Sequence, residues 1–386
     1  MTPTLRADVR VLPFDDGEGR NRFIVAVGER HFVVGEVVAA VLQEARVPST
    51  PEALAQRVSG RLGASVSADV VNRVIAEQML SVCFHDGAQT AQCPIRFRAR
   101  LVGAAALRVP LALLSKLFTS KVAILAIVML AVVQIAIAAG SERGVAEGLS
   151  GTEVMCAVAL TLLGVFVHEL GHLAACARFG AVHGGIGVGL YWCMPVFYAD
   201  VNGAWTLPRL QRAAVDAGGV YLQCIYTLGL GAAYLATQSP TIREAIAWTF
   251  FLMLHTLNPV LKYDGYWLLT DLAGAPNLHG RIRDSAQQVW SVIRRVPGAS
   301  LPGTKPLLLL GAFTAIAFAY FAYLLLVLGA GIGKSLGATA EKWAAGEASW
   351  PAVGEFALLA LLLVMAVSLS FVLARSIHRI GRISST

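Results

Sequence analysis

Charged residues are scarce in this chain. Only 14% of its 386 residues are Asp, Glu, Lys or Arg, whereas a soluble domain carries about 25%. A further 56% are hydrophobic, and the mean hydropathy is +0.65. Such a chain could not hide its apolar surface from water. This excludes a soluble globular protein, a disordered tail and a disulfide-rich secreted scaffold, and it predicts a helical membrane protein.

Paired cysteines and an apolar leader are also missing. The six cysteines include no CxxC pair, and four lie in apolar stretches, so we interpret them as small hydrophobic residues. The opening residues, MTPTLRADVR, have no apolar core, so we expect no cleaved signal peptide. The net charge of +7 is typical of Lys and Arg gathered on the cytoplasmic side of membrane spans.

The composition changes near residue 100. Residues 1–95 are predicted to form a small cytoplasmic α+β domain in which three strands precede three helices. The strands are expected at Asp8–Phe14, Arg22–Val27 and His31–Val34, and the helices at Glu36–Ala45, Thr50–Leu62 and Ala68–Phe84. Pro51 in a first helical turn supports the second helix. This order is typical of a winged-helix module.

Six apolar stretches follow, each with about the 20 residues that a bilayer requires. The predicted spans are Val122–Gly140, Glu153–Phe179, Ala217–Ala236, Ala245–Leu269, Pro306–Gly333 and Phe356–Ala374. Lys and Arg accumulate on one side of them, which places both termini in the cytoplasm. The predicted organisation is a basic amphipathic linker (96–121), a membrane core (122–270), a cytoplasmic loop (271–305), and two further helices with a cytoplasmic tail (306–386).

Two histidines and a glutamate lie in the second span. His168 and His172 are four residues apart, so both project from one helix face, and Glu169 is turned about 100° aside. In such an HExxH pattern the histidines hold zinc and the glutamate takes a proton from water. Ionisable groups are costly inside a bilayer, which disfavours two merely structural histidines. We therefore predict one zinc ion per chain.

A catalytic zinc site needs a third protein ligand. We predict Asp264, because it and His168 both fall in the inner half of the membrane when counted at 1.5 Å per residue from the outer ends of their spans. His255 and Cys193 are the rival ligands. The alternative role for Asp264 is a carboxylate at the membrane boundary beside Lys262.

The segment AVHGGIGVGLYWCMPVFYADVNGAW, between the second and third spans, is rich in glycine and aromatic residues. Irregular backbone at membrane depth persists only where it lines a protein cavity, so we predict a re-entrant hairpin or edge strand. An extended substrate could pair with such an edge. The predicted substrate-binding residues are Gly187, Gly189, Tyr191, Pro195, Phe197 and Tyr198.

The motifs HELGH and NPVLKYDGYW resemble the site-2 protease family of intramembrane zinc metalloproteases. The resemblance covers roughly residues 152–275 and rests on HExxH followed by a later Asp-Gly that is preceded by Asn-Pro. It implies Glu169 as the general base, and Asn258 as a residue that holds the substrate backbone or the developing oxyanion. The zinc ligands that it implies are His168, His172 and Asp264.

Two other segments bear on this resemblance. PVFYADVNGAW is similar to the segment after HExxH that pairs with an unwound substrate. In DAGGVYLQCIY the chain departs from the family, because Gly219 stands where many members have proline and no asparagine follows.

The N-terminal domain resembles the PqqD-like winged helix that binds leader peptides of ribosomally made, modified peptides. The segments VGEVVAAVLQEA and TPEALAQRVSGRLG carry this resemblance, which implies a bound leader peptide. Docking to another protein is the main alternative. Nucleic acid is not expected as a partner, because the helix Thr50–Leu62 carries only Arg57 and Arg61 as basic residues.

Three functional hypotheses follow. The first is a zinc endopeptidase in the bacterial cytoplasmic membrane that processes the leader or precursor of a small or membrane-associated peptide recruited by the N-terminal domain. The second is regulated intramembrane proteolysis of a signalling protein, which the lack of an extracytoplasmic sensing domain disfavours. The third is a non-catalytic subunit of a peptide export or immunity system, which would not need Glu169.

Overall fold

The computed structural model describes residues 5–15, 21–27, 30–76, 83–84, 95–140, 149–191, 194–275 and 277–344. Over these residues the chain is mainly helical, as predicted, with two small antiparallel sheets. It divides into two compact units. One comprises Met1–Ala126, Val165–Gln223 and Trp267–Pro276, and the other comprises Ile127–Gly164, Cys224–Tyr266 and Asn277–Thr386.

The first sheet and three helices form the N-terminal part in the predicted order. They are β1 (Arg10–Phe14), β2 (Arg22–Val27), β3 (Arg30–Gly35), α1 (Glu36–Glu44), α2 (Pro51–Leu62) and α3 (Ala68–Ala76). Helix α2 begins where its sequence indicates, because the Thr50 hydroxyl accepts a hydrogen bond from the backbone N–H of Ala53 and Pro51 occupies the first turn. It ends at Gly63, whose φ of 63° is left-handed. Part of the third predicted helix, residues 77–82, lies outside the described residues.

The two faces of the β1-β2-β3 sheet have different neighbours. Val25 and Val27 point to one face and are buried with Leu42, Leu54 and Val58 of the helices. Because side chains alternate along a strand, the residues of β2 on either side of Val25 point to the opposite face. The β1 residues that pair with them point to that face as well.

The first part of the predicted basic amphipathic linker (96–121) is a strand. Strand β4 (Ile95–Val102) pairs with β5 (Ile186–Tyr191), and β5 pairs with β6 (Met194–Ala199), so the second sheet has the order β4-β5-β6. The cause is visible in IRFRARLV, where arginine alternates with other residues at a period of two. The predicted hairpin forms as β5 and β6, and Trp192 and Cys193 at its tip lie outside the described residues.

Eight more α-helices follow β4 in the part of the chain that the structure describes. They are α4 (Ala104–Leu114), α5 (Ser120–Gly140), α6 (Gly151–Phe179), α7 (Arg209–Thr237), α8 (Pro240–Thr256), α9 (Asp264–Ala273), α10 (Leu278–Ile293) and α11 (Thr304–Ala344). Among the described residues, three stretches are long and apolar enough to cross a membrane: Gly151–Phe179, Arg209–Thr237 and Thr304–Leu326. The segments Ala104–Leu117 and Ser120–Ile135, bent by 80°, would make a fourth if counted as one span.

Two predicted spans need correction. The fourth, Ala245–Leu269, is not one helix, because α8 ends at Thr256 and α9 begins at Asp264. Proline at 259 lacks the N–H that would continue the helix, and the Asn258 side chain caps the break by accepting a hydrogen bond from the N–H of Val260. The fifth, Pro306–Gly333, is part of the longer helix α11, which extends to Ala344. The sixth, 356–374, lies outside the described residues.

Candidate metal centre

Helix α6 holds the two histidines of the HExxH pattern side by side. His168 and His172 are 6% and 7% exposed, and their Nε2 atoms are 3.1 Å apart. Two nitrogens bound to one tetrahedral zinc at 2.0–2.1 Å would be separated by about 3.3 Å. The distance between the two Nε2 atoms is therefore close to that between two nitrogens bound to one zinc ion.

Each imidazole is oriented through its other nitrogen. The Nδ1 of His172 lies 2.8 Å from the carbonyl oxygen of Val215, which can only accept, so this Nδ1 carries the proton. The Nδ1 of His168 lies 3.1 Å from the amide oxygen Oε1 of the buried Gln223, with the same consequence. Both Nε2 atoms are left with a lone pair, the tautomer that metal binding requires.

Glycines let α7 approach these histidines. A Cβ atom at Gly219 would lie 2.5 Å from the Nε2 atoms of both His168 and His172, and one at Gly171 would lie 2.2 Å from the carbonyl oxygen of Gly218. Real side chains do not tolerate such distances, so the two helix backbones pack directly on each other here. The departure from the family pattern at Gly219 thus coincides with a position where no side chain fits.

Asp264 completes a set of three ligands. One ligand atom from each of His168, His172 and Asp264 can be chosen so that all three lie within 4.8 Å of one another. Among the described residues, no other group of His, Cys, Asp or Glu meets this condition. Two imidazoles and a carboxylate form a donor set that suits zinc, so the residues present can hold the predicted metal.

The turn before α9 places Asp264 at a helix N-terminus, where a carboxylate is stabilised by the exposed backbone N–H groups. Gly265 makes the turn possible, because a Cβ there would lie 1.9 Å from the carbonyl oxygen of Leu257. The adjacent Asn258 is 2% exposed. Its Oδ1 accepts a hydrogen bond from the N–H of Val260, and its buried Nδ2 lies next to the hydroxyl of Tyr320.

Glu169 follows His168 on α6 and is half-buried. Of the rival ligands, His255 is not part of the ligand group; its Nδ1 is hydrogen-bonded to the Tyr320 hydroxyl, and its ring stacks on Phe251. Cys193 lies outside the described residues.

The predicted substrate-binding residues divide between two strands. Gly187 and Gly189 lie on β5, which has a neighbour on each side, so they do not form the expected edge. A Cβ at Gly187 would lie 2.5 Å from the Tyr198 ring, so Gly187 makes room for that ring. Pro195, Phe197 and Tyr198 lie on β6, which pairs only with β5 among the described residues. Tyr191 ends β5 at the hairpin tip.

A buried ion pair near the start of α7 was not foreseen from the sequence. Arg212 is 4% exposed, and its Nη2 lies 2.8 Å from Oδ1 of Asp271 on α9. The same guanidinium donates to the backbone carbonyls of Leu207 and Asp15 and lies 4.2 Å from the Phe14 ring centroid. Arg212 therefore joins the end of β1 to α7 and α9. No local signal singled out this arginine, because Arg209, Gln211 and Asp216 lie close to it in the sequence.

No protein-family model, curated protein or solved structure matches the chain.

Proposed function

We propose that this chain is a membrane-embedded zinc endopeptidase of the site-2 protease type, which cuts a small or membrane-associated peptide. The observation that carries the proposal is the convergence of His168, His172 and Asp264, with Glu169 next to the first ligand. The hydrogen bonds of the two Nδ1 atoms set the tautomers of both histidines, so that both Nε2 atoms carry a lone pair that can bind a metal.

The apolar surface supports the membrane part of the proposal. Only 11% of the most apolar window of Thr304–Leu326 and 28% of that of Gly151–Phe179 is buried. On α5, Ile124 and Ile127 are at least 60% exposed. Apolar patches of this size are not left in contact with water, so lipid is the surrounding that fits these helices.

The residues supply the parts of a hydrolytic mechanism. His168, His172 and Asp264 would hold the zinc ion, which when bound polarises the scissile carbonyl and lowers the pKa of water. Glu169 accepts the proton of the attacking water and then delivers it to the leaving amine. The side-chain amide of Asn258, which lies next to the Tyr320 hydroxyl, would turn to hydrogen-bond a carbonyl oxygen of the substrate.

The unpaired side of β6 is where we place the substrate backbone. A peptide bond within a helix is shielded, so a substrate has to be extended before it is cut. Pairing with an exposed strand edge holds a peptide in that form. The N-terminal domain would recruit the substrate by binding its leader peptide.

The test uses the full-length protein purified from membranes as wild type and as Glu169→Gln. We expect about one zinc ion in both, and a peptide that co-purifies with the variant and is cut only by the wild type. Glu153→Gln, at the far end of the same helix, is the matched control and should cut like the wild type. A trapped peptide that stays whole with all three proteins would make this a binding protein and would overturn the proposal.

A further inference from the structure

A cavity of about 340 Å³ lies between the first sheet and the segments that flank the β5–β6 hairpin. On the sheet side it is lined by Arg10 and Leu12 of β1 and by Ile24 and Ala26 of β2. In the strand register Arg10 is opposite Ala26 and Leu12 is opposite Ile24. These are the residues that point away from the helices of the N-terminal domain, so the cavity occupies the sheet face that those helices leave open.

The opposite wall is preformed. It is made by residues 182–184 and by residues from Asp200 to Thr206. A Cβ at Gly203 would lie 2.0 Å from the carbonyl oxygen of Val182, and one at Gly184 would lie 2.2 Å from Oδ2 of Asp200. The two segments therefore pack backbone against backbone, which leaves the wall little freedom to collapse into the cavity.

The cavity combines an apolar floor with charge at its rim. Leu12, Ile24 and Ala26 provide the floor. The Oδ1 of Asp200 is occupied by the backbone and side-chain N–H groups of Asn202. Arg10 is exposed at the rim and has no ion-pair partner among the described residues. Arg10 is thus the positive charge on the sheet side of the cavity, and the Asp200 carboxylate is a negative charge on the opposite wall.

The cavity continues the line of β6. Beyond the last pair of the hairpin, the N–H of Gly184 donates to the carbonyl oxygen of Asp200, and the N–H of Asp200 donates to that of Gly185. These bonds extend the hairpin from Ala199, where β6 ends, into the cavity wall. A peptide paired with the open side of β6 would therefore run into the cavity.

We propose that this cavity is a subsite for an extended peptide with an apolar side chain and an acidic side chain two residues apart. Alternate side chains of a strand share one face at a spacing of about 7 Å. Leu12 and Arg10 have this spacing on β1, so the apolar side chain would rest on the floor and the acidic one would meet Arg10. This inference rests on the proposed function, because the bound peptide is the substrate of the proposed endopeptidase.

The test selects random octapeptides by display on full-length Glu169→Gln protein in detergent, which binds without turnover. Parallel selections use Arg10→Glu and Ala26→Trp in the same background. Arg73→Glu, an exposed charge reversal on α3 of the same domain, is the matched control. The enriched peptides are then synthesised for measurement of their dissociation constants and offered to the wild type for cleavage.

We expect peptides with the apolar–acidic spacing to be enriched and to bind Arg10→Glu about fivefold more weakly, the size of one partly exposed ion pair. Arg10→Glu should instead enrich basic peptides, Ala26→Trp should enrich neither kind, and Arg73→Glu should behave like the parent. The subsite would be overturned if no peptide were enriched, or if Arg10→Glu and Ala26→Trp enriched the same peptides as the parent protein. Peptides that bind as expected but are not cut would leave the subsite standing and count against the protease.

Discussion

Gly219 packs closely against His172. A Cβ atom at Gly219 would be 2.5 Å from the Nε2 of His172 and equally close to the Nε2 of His168. The absence of a side chain at Gly219 is therefore a requirement of the candidate metal centre. It fixes how near α7 approaches α6, and it leaves both ligand nitrogens accessible.

Replacing this glycine tests that requirement. Gly219→Ala should lower zinc affinity about tenfold or more, because the methyl group displaces both ligand nitrogens, and displaced ligands cost affinity on that scale. The control is Gly229→Ala, ten residues along the same helix, where a Cβ meets nothing within 4 Å. Zinc affinity is measured by competition with a chromophoric chelator, and the thermal midpoint is recorded for each variant. Equal affinities for the two variants would contradict the close approach.

Gln223 orients His168 through its amide oxygen. Gln223→Leu removes the acceptor and leaves a buried imidazole N–H unpaired, so we expect zinc to bind about 10- to 100-fold more weakly. Gln223→Glu keeps an acceptor at the same position and should bind zinc far better than the leucine variant. If leucine and glutamate at 223 gave the same dissociation constant, the orienting hydrogen bond would have no role in metal binding.

The Arg212–Asp271 pair is tested by removing one partner and then both. Breaking a buried pair typically costs about 3–5 kcal/mol, because the remaining charge is left without compensation. Arg212→Met and Asp271→Leu should each lower the unfolding midpoint in detergent, and the double variant should recover much of the loss. A double variant whose loss equals the sum of the single losses would show that the two side chains do not interact.

Cys83 gives a probe of the N-terminal domain that is independent of the metal. Burial raises the pKa of the Cys83 thiol to about 11, and only the thiolate reacts with alkylating reagents. Iodoacetamide at pH 8 should therefore label Cys83 at least about a hundredfold more slowly than a free thiol. A cysteine introduced by Val47→Cys, at a site that is 62% exposed, should react at the ordinary rate. Fast labelling of native Cys83, located by peptide mapping, would contradict the buried placement.

Local sequence signals accounted for much of the site. The spacing of His168 and His172 is a helical period, so their shared face follows from 3.6 residues per turn. The count along two spans predicted Asp264 as the third ligand, and its possible ligand atom lies within 4.8 Å of those of the two histidines. Pro259 marked the point where the fourth predicted span breaks.

The rest depended on contacts that no local pattern specifies. The alternating arginines of β4 predict a strand. Its partner β5 begins 91 residues after β4 does, and neither segment contains a pattern that would predict their pairing. The carbonyl of Val215 acts through the backbone, so its side chain gives no sign of the hydrogen bond to His172. Gln223 could have been singled out as a polar residue within an apolar stretch, but its partner could not.

Zinc K-edge X-ray absorption on the purified full-length protein would show whether these side chains bind zinc. We expect about one zinc per chain with a four-coordinate shell of nitrogen and oxygen, including two imidazoles, and loss of the signal in His168→Ala, His172→Ala and Asp264→Ala. A sulfur scatterer in the shell, or a spectrum unchanged by Asp264→Ala, would contradict the assignment of the third ligand. Protein that binds no zinc would contradict the metal centre itself.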